Sequence, residues 1–311
     1  MARKRLSKFI KCSVLIIVVL GLLFVHFVLP RAIIQKRSSI RLPEKSERFK
    51  KYDSIISNNT DFKRKKLTIE SYDGLKLSAL LTYSNLGVSK GTIILIHSSG
   101  STKYKYFEMS ETLSSNGFNA VSVDVRGFGE SEGQFFTFGV EEKKDITSVI
   151  NYLIEKEQLT NIGVWGQSIG GAIAMQAMAF DKRIKFGIIE STFTDFKTNM
   201  DTYFTRISKI HIEPLANYVV HRAGTIGNFD ADDASPLKYA EKITQPTFLV
   251  HGEKDQVINI KYARQNFAKI KSANKRLLEI DSATHSNLWQ IGGDTYMDQV
   301  LDFININTTF N

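Results

Sequence analysis

The pattern of apolar and polar positions changes character twice along the chain. Residues 13–29 read SVLIIVVLGLLFVHFVL, with no charge, one histidine and no 3.6-residue periodicity. Neither face of a helix built from them would prefer water. With Cys12 the run reaches about 18 residues, the short end of what crosses a bilayer. Residues 30–66 are polar, basic and weakly periodic, and read as a juxtamembrane stalk with a short helix around 46–56. From Leu67 onward, short apolar runs alternate with segments of helical spacing.

KLTIESYDGLKLSALLTYS predicts a hairpin that turns at Asp73-Gly74. GTIILIH, NAVSVDV, NIGVWG, FGIIES, PTFLVHG and RLLEID include continuous apolar runs, the mark of strands covered on both faces. Helical segments fall between them. Residues 104–115 are closed by Asn116-Gly117, and 141–156 put Ile146, Val149, Ile150 and Leu153 on one face. A small-residue helix IGGAIAMQAMAF follows, and 296–304 form a closing helix. This alternation predicts an α/β fold with a doubly wound, mostly parallel sheet and an antiparallel start. Residues 193–237 interrupt it. A structureless loop that long is out of place in a compact domain, and the helix-like pieces DFKTNMDTYFTRI and PLANYVVHRAG predict a helical cap over the sheet's carboxyl edge. The expected organisation is a basic tail over 1–11, a transmembrane anchor over 12–29, a stalk over 30–66, and one domain over 67–311 with its cap at 193–237.

Charge sharpens this division. The net charge of +9 suggests a nucleic-acid partner until the chain is split. Residues 1–66 carry 17 Lys and Arg against 4 Asp and Glu, a net of +13, whereas residues 67–311 carry 24 against 28, a net of −4. The basic excess flanks one apolar segment and fits an anionic membrane surface. No zinc-finger spacing or RNA-binding aromatic motif points to a nucleic acid. A cleaved signal peptide would need a shorter apolar core and a small-x-small site, but this run ends in HFVLPRAII. An uncleaved anchor is expected. Arg3, Lys4, Arg5, Lys8 and Lys11 precede the span, and Arg31, Lys36, Arg37, Arg41, Lys45 and Arg48 follow it. The charge count is close to a tie. Long domains translocate largely regardless of charge, so the tail is placed in the cytoplasm and the domain on the other side of the cell membrane. Cys12 is the single cysteine, which rules out an intrachain disulfide and leaves the compartment open.

Gly166-Gln167-Ser168-Ile169-Gly170 is a G-x-S-x-G that follows a buried strand and opens a helix. A serine displayed on so sharp a turn needs glycines around it, so that strand and helix approach without Cβ clashes. A hydroxyl is a weak nucleophile near neutrality and needs a base and an orienting acid. Of six histidines, His26 lies in the apolar span, His97 ends an early strand, and His211 and His221 fall in the cap. His251 sits inside an apolar strand, where it reads as a core histidine. His285 lies in a loop just past the strand RLLEID, where folds of this type place ligands, and is the base candidate. Asp255, just past PTFLVHG, is the acid candidate, with Glu253 and Asp281 as alternatives. The order Ser168, Asp255, His285 at three successive strand ends favours Asp255.

On these residues the chain resembles the α/β-hydrolase superfamily over roughly residues 66–303, and within it lysophospholipase-like, acyl-peptidase-like and membrane-anchored members with a small cap. Three more stretches carry the resemblance. Asp124-Val125-Arg126-Gly127-Phe128-Gly129-Glu130-Ser131 is similar to the family's D-x-R-G-x-G-x-S turn. Ser235-Pro236-Leu237 with Ile243-x-x-Pro246 resembles the return from the cap. His97-Ser98-Ser99-Gly100 stands at the oxyanion loop. Relatives usually carry glycine directly after that histidine, and Ser98 departs from the pattern. The resemblance implies oxyanion donors at the backbone N–H groups of Ile169 and Ser99, and acyl transfer without a metal or cofactor. Independently, the sequence has no H-E-x-x-H and no paired cysteines, and Gly127-Phe128-Gly129 lacks the further glycine and helix start of a nucleotide fingerprint. The expected reaction is hydrolysis of a carboxylic ester or thioester in a lipid-like, small-molecule or peptide acyl substrate. A peptidase or amidase with the same triad, and a non-catalytic anchored scaffold, are the alternatives. Phe193, Phe196, Tyr203, Phe204 and Tyr218 either line an acyl pocket or pack the cap.

Overall fold

The computed structural model describes residues 2–35, 52, 54–56, 61–209 and 211–308, with side chains from residue 7 onward. Eight strands form one sheet: β1 (Arg64–Glu70), β2 (Lys76–Thr82), β3 (Gly91–Ile96), β4 (Phe118–Val123), β5 (Ile162–Gln167), β6 (Gly187–Glu190), β7 (Thr247–Gly252) and β8 (Lys275–Ile280). Their spatial order is β1-β2-β4-β3-β5-β6-β7-β8. β1 and β2 form the expected hairpin, and β2 meets β4 antiparallel. Every later pairing is parallel. Gly74 turns the hairpin at φ +85°, a region open to glycine at little cost.

The continuous apolar runs become strands buried on both faces because helices cover both. Ile94, Ile96, Val121, Val123, Val164 and Leu249 point to one layer with α4 (Glu142–Glu157) and α5 (Ile169–Phe180). Their neighbours Ile93, Leu95, Ala120, Trp165 and Phe248 point to the other, against α3 (Phe107–Ser115) and α10 (Leu288–Thr308). The helix expected over 104–115 begins as a 3₁₀ turn, Lys103–Tyr106, before α3. The closing helix is longer than the 296–304 read from the sequence and kinks at Gly293 (φ 55°, ψ −150°). The insertion between β6 and β7 holds α6 (Phe196–Ser208), α7 (Glu213–Gly227) and the short α8 (Pro236–Ala240). Asp195 caps α6 by accepting from the N–H of Thr198, and Ser235 caps α8 by accepting from that of Lys238.

Among the described residues one helical stretch, Ser7–Ile34 (28 residues), is long and apolar enough to cross a membrane. It takes in most of α1 (Ala2–Leu23), a π-helical turn Phe24–Val28 and α2 (Leu29–Ile34). The helix continues past residue 29, and its end is part of the folded domain. Ile33 and Ile34 are buried, Phe136 donates its N–H to the Ile34 carbonyl at 2.9 Å, and Gln35 bridges to Phe135. Gly227, the last residue of α7, packs against Ile34. Most of the stalk, including much of the helix expected over 46–56, falls outside the described residues. Tyr52, Ile55 and Ile56 pack on Leu80, Tyr104 and Phe107.

Candidate active site

The turn between β5 and α5 holds Ser168 at φ 57°, ψ −117°. A non-glycine residue pays for such angles unless its surroundings impose them. Here they do: the Ser168 N–H donates to the Glu190 carbonyl at 2.8 Å, and its carbonyl accepts from Thr192 Oγ1 at 2.8 Å. The flanking glycines allow close approach. A Cβ on Gly166 would lie 2.2 Å from the Gly170 carbonyl oxygen, and one on Gly170 would lie 2.1 Å from that of Ile96.

Two later strand ends bring their side chains to this serine. His285 Nε2 is 3.1 Å from Ser168 Oγ, and its Nδ1 is 2.8 Å from Asp255 Oδ2. Asp255 is buried, and its Oδ1 accepts from the N–H groups of Val257 and Ile258, each at 2.8 Å. Burial alone would raise this carboxyl's pKa. Hydrogen bonds from His251, His285 and the Ile258 backbone outweigh it and hold the group below the usual carboxylate range. Anionic Asp255 requires the proton on His285 Nδ1, which leaves Nε2 able to accept from Ser168. Glu253 and Asp281, the alternative acids, are exposed.

The N–H groups of Ile169 and Ser99 have no hydrogen-bond partner among the described residues. Ile169 opens α5, where a helix leaves its first N–H groups unsatisfied and partly positive. The His97 loop bends at Gly100 (φ +74°), while Ser98 is not among the described residues with positive φ. Serine therefore fits directly after the histidine without strain. His97 is buried: its Nε2 accepts from the Val125 N–H at 3.1 Å, so Nδ1 carries the proton and donates to the Ser98 carbonyl at 2.9 Å. Burial lowers its pKa and keeps it neutral.

Four supporting residues were not identified as such from the sequence. His251, read as a core histidine, is buried and donates from Nε2 to the Ile258 carbonyl at 2.8 Å, with Asp255 Oδ2 3.3 Å away. Its spacing of four residues from Asp255 was the available signal. Lys105 Nζ reaches Ser98 Oγ at 3.2 Å and the Gln167 side-chain carbonyl. Loss of water around this ammonium lowers its pKa. Gln167 Nε2 donates to the His285 carbonyl at 3.3 Å. Glu190 is fully buried behind the serine and accepts from Trp165 Nε1 at 3.0 Å and from the Tyr296 hydroxyl. Burial raises its pKa.

The sheet order, the capped insertion after β6 and the serine on its strained turn define an α/β-hydrolase. The chain belongs to the prolyl oligopeptidase family, whose model matches residues 104–303. It is similar to protein bem46 of Schizosaccharomyces pombe, 27% identical over 252 residues that make up 79% of this chain and 76% of that one. It is also similar to the uncharacterised protein YqkD of Bacillus subtilis, 22% identical over 318 residues and covering 97% of each chain. The Pyrococcus furiosus esterase Pf2001 shares the fold at a TM-score of 0.66 and 23% identity, covering 79% of this chain and 92% of that one. The protein is a hydrolase of the prolyl-oligopeptidase type.

Proposed function

We propose that the protein is a membrane-anchored serine hydrolase that cleaves a carboxylic ester or thioester through an acyl-enzyme. The observation that carries this reading is the unbroken hydrogen-bonded line from Asp255 through His285 to Ser168. Ser168 Oγ attacks the substrate carbonyl carbon as its proton passes to His285 Nε2. Asp255 holds the imidazole in the required tautomer and stabilises the imidazolium. The N–H groups of Ile169 and Ser99 receive the oxyanion, each worth about 3 kcal/mol of barrier. The tetrahedral intermediate collapses, its C–O or C–S bond breaks, and His285 protonates the leaving alcohol or thiol. Water then attacks the acyl-enzyme with His285 as base, releasing the acid and restoring Ser168. The apolar helix serves as an uncleaved anchor over 12–29, with the domain on the non-cytoplasmic side.

The esterase among the structural neighbours supports ester cleavage, while the family description supports the second reading, a serine peptidase or amidase with the same three residues. A fluorophosphonate probe tests the nucleophile. Wild type is expected to label and Ser168→Ala is not. Absence of labelling on folded wild type sinks the proposal, and labelling that persists in the variant moves the nucleophile elsewhere. Rates on p-nitrophenyl esters against aminoacyl-anilides separate the two readings.

A further inference from the structure

The cap's outer end is apolar where a soluble cap would be polar. Ile207 near the end of α6 is 63% exposed, Ile212 just before α7 is 46% exposed, and Tyr218 in α7 is 45% exposed. Leu215 and Tyr218 do not face open water alone. With Val19, Leu22, Leu23, Val25, His26 and Phe27 of the anchor helix they line an open groove of about 760 Å³. His26 Nδ1 hydrogen-bonds the Tyr218 hydroxyl, and their rings lie 6.2 Å apart. The two helices run parallel: Leu215 and Tyr218 lie alongside residues 19–27, and Gly227 of α7 meets Ile34.

This register fixes a depth. His26 lies three residues inside the last residue of the span at 1.5 Å each, so Tyr218 stands about 5 Å within the apolar segment and Leu215 deeper. A bilayer around the anchor meets the cap's tip at that level. Arg206 and Lys209 flank the tip's apolar residues, a pairing of cation and apolar side chain suited to the headgroup boundary. The same geometry orients the site. The cap leaves the carboxyl end of β6, and the loop that receives Ile34 follows the carboxyl end of β4, the edge that carries Ser168.

We infer that the cap tip, Ile207, Ile212, Leu215 and Tyr218, inserts into the bilayer interface beside the anchor. The carboxyl edge of the sheet thereby faces the membrane, and the substrate is an acyl ester resident in it. This rests on the membrane-anchored reading above, and the test separates the two.

The full-length protein with Cys12→Ser is placed in phosphatidylcholine–phosphatidylglycerol vesicles. Single cysteines labelled with an environment-sensitive fluorophore stand at Val19 in the span, at Ile212 in the tip, or at Val88. Val88 is 87% exposed in the β2–β3 connection, on the opposite edge of the sheet. Spin-labelled lipids are expected to quench Val19→Cys and Ile212→Cys and to leave Val88→Cys unchanged. Quenching at Val19 without quenching at Ile212 overturns the inference and leaves the anchor standing. Energy transfer between labels at Ile212 without lipid quenching assigns the tip to a second copy and also overturns it. No quenching at Val19 refutes the anchor, and the inference with it. Ile207→Glu combined with Ile212→Glu is expected to slow hydrolysis of a long-chain ester in vesicles severalfold, with a water-soluble short ester unaffected. An unchanged rate on the vesicle substrate counts against the inference.

Discussion

Gly170 and Gly100 stand on either side of the candidate oxyanion position and tolerate change for different reasons. A methyl on Gly170 meets the Ile96 carbonyl oxygen at 2.1 Å and the His97 oxygen at 2.8 Å, and both are backbone atoms that cannot rotate away. A methyl on Gly100 meets nothing within 4 Å and has only its φ of +74° to accommodate. Gly170→Ala is therefore expected to cost more than about 3 kcal/mol of stability and most of the activity. Gly100→Ala is expected to cost about 1 kcal/mol. Urea unfolding of the two variants checks the contrast, and equal losses would show that the close approach is not limiting. Ser168, Asp255 and His285 were legible in the sequence because each sits at a strand end with its own local signal. His251, Lys105 and Glu190 were not, because each matters through a partner distant in the chain or, for His251, through a carboxylate that local pattern alone does not connect to it. The same holds for Ser98. Its departure from the family's glycine suggested altered loop geometry, yet the chain reaches its left-handed turn two residues later, at Gly100.

Buried ion pairs tie the elements together where connecting loops are long. Arg126, from the turn after β4, makes two 2.6 Å hydrogen bonds to Asp145 of α4 and one of 3.0 Å to Asp73 in the hairpin turn. The D-x-R-G-x-G-x-S stretch thus acts as a structural clasp. Asp124 in it accepts from the buried Lys103 at 2.8 Å. The cap is fastened in a similar way at its return. Asp233 accepts from Lys143 of α4 at 2.8 Å and from the Tyr239 hydroxyl at 2.7 Å. Burial pushes the Asp233 carboxyl up, but bonds from Lys143, Lys238 and Tyr239 outweigh it and hold the group below the usual range. A depressed pKa contributes stability that is fully present above the unfolded value of about 4 and is lost as pH falls through the folded one. Asp233→Ala strands the buried Lys143 ammonium and is expected to destabilise the protein by about 3 kcal/mol, whereas adding Lys143→Met should restore part of the loss. Denaturant titration of the single and double variants reads this directly, and additive losses would rule out the coupling. The cap's two main helices followed from the apolar spacing of their sequences. Helix α9 (Lys261–Lys269) did not, because only Tyr262, Ala263 and Asn266 of it are buried and its pattern is too sparse.

At the scale of the molecule, the apolar N-terminal helix and the domain share a seam. The sequence drew a stalk from residue 30 because the composition turns basic there. In the structure Ile33 and Ile34 fill the layer that also holds Phe136 and Val140. Composition averages over a window and cannot show two isoleucines docking at its edge. Removal of residues 1–28 is expected to leave a soluble protein with full activity on short esters. Removal of 1–35 uncovers the seam and forfeits about 2 kcal/mol for each buried isoleucine, which thermal unfolding reads as a lower Tm. Equal Tm values would show that the docking adds nothing. The seam brings this helix to the edge where Ser168 stands, and behind that edge the chain has placed its full complement of two tryptophans. Trp165 and Trp289 stack with centroids 5.2 Å apart, and Trp165 is bonded to the glutamate whose carbonyl holds the Ser168 N–H. The protein's intrinsic tryptophan emission therefore originates wholly in the layer beneath Ser168, a native optical reporter whose light comes from the place where the proposed acylation would occur.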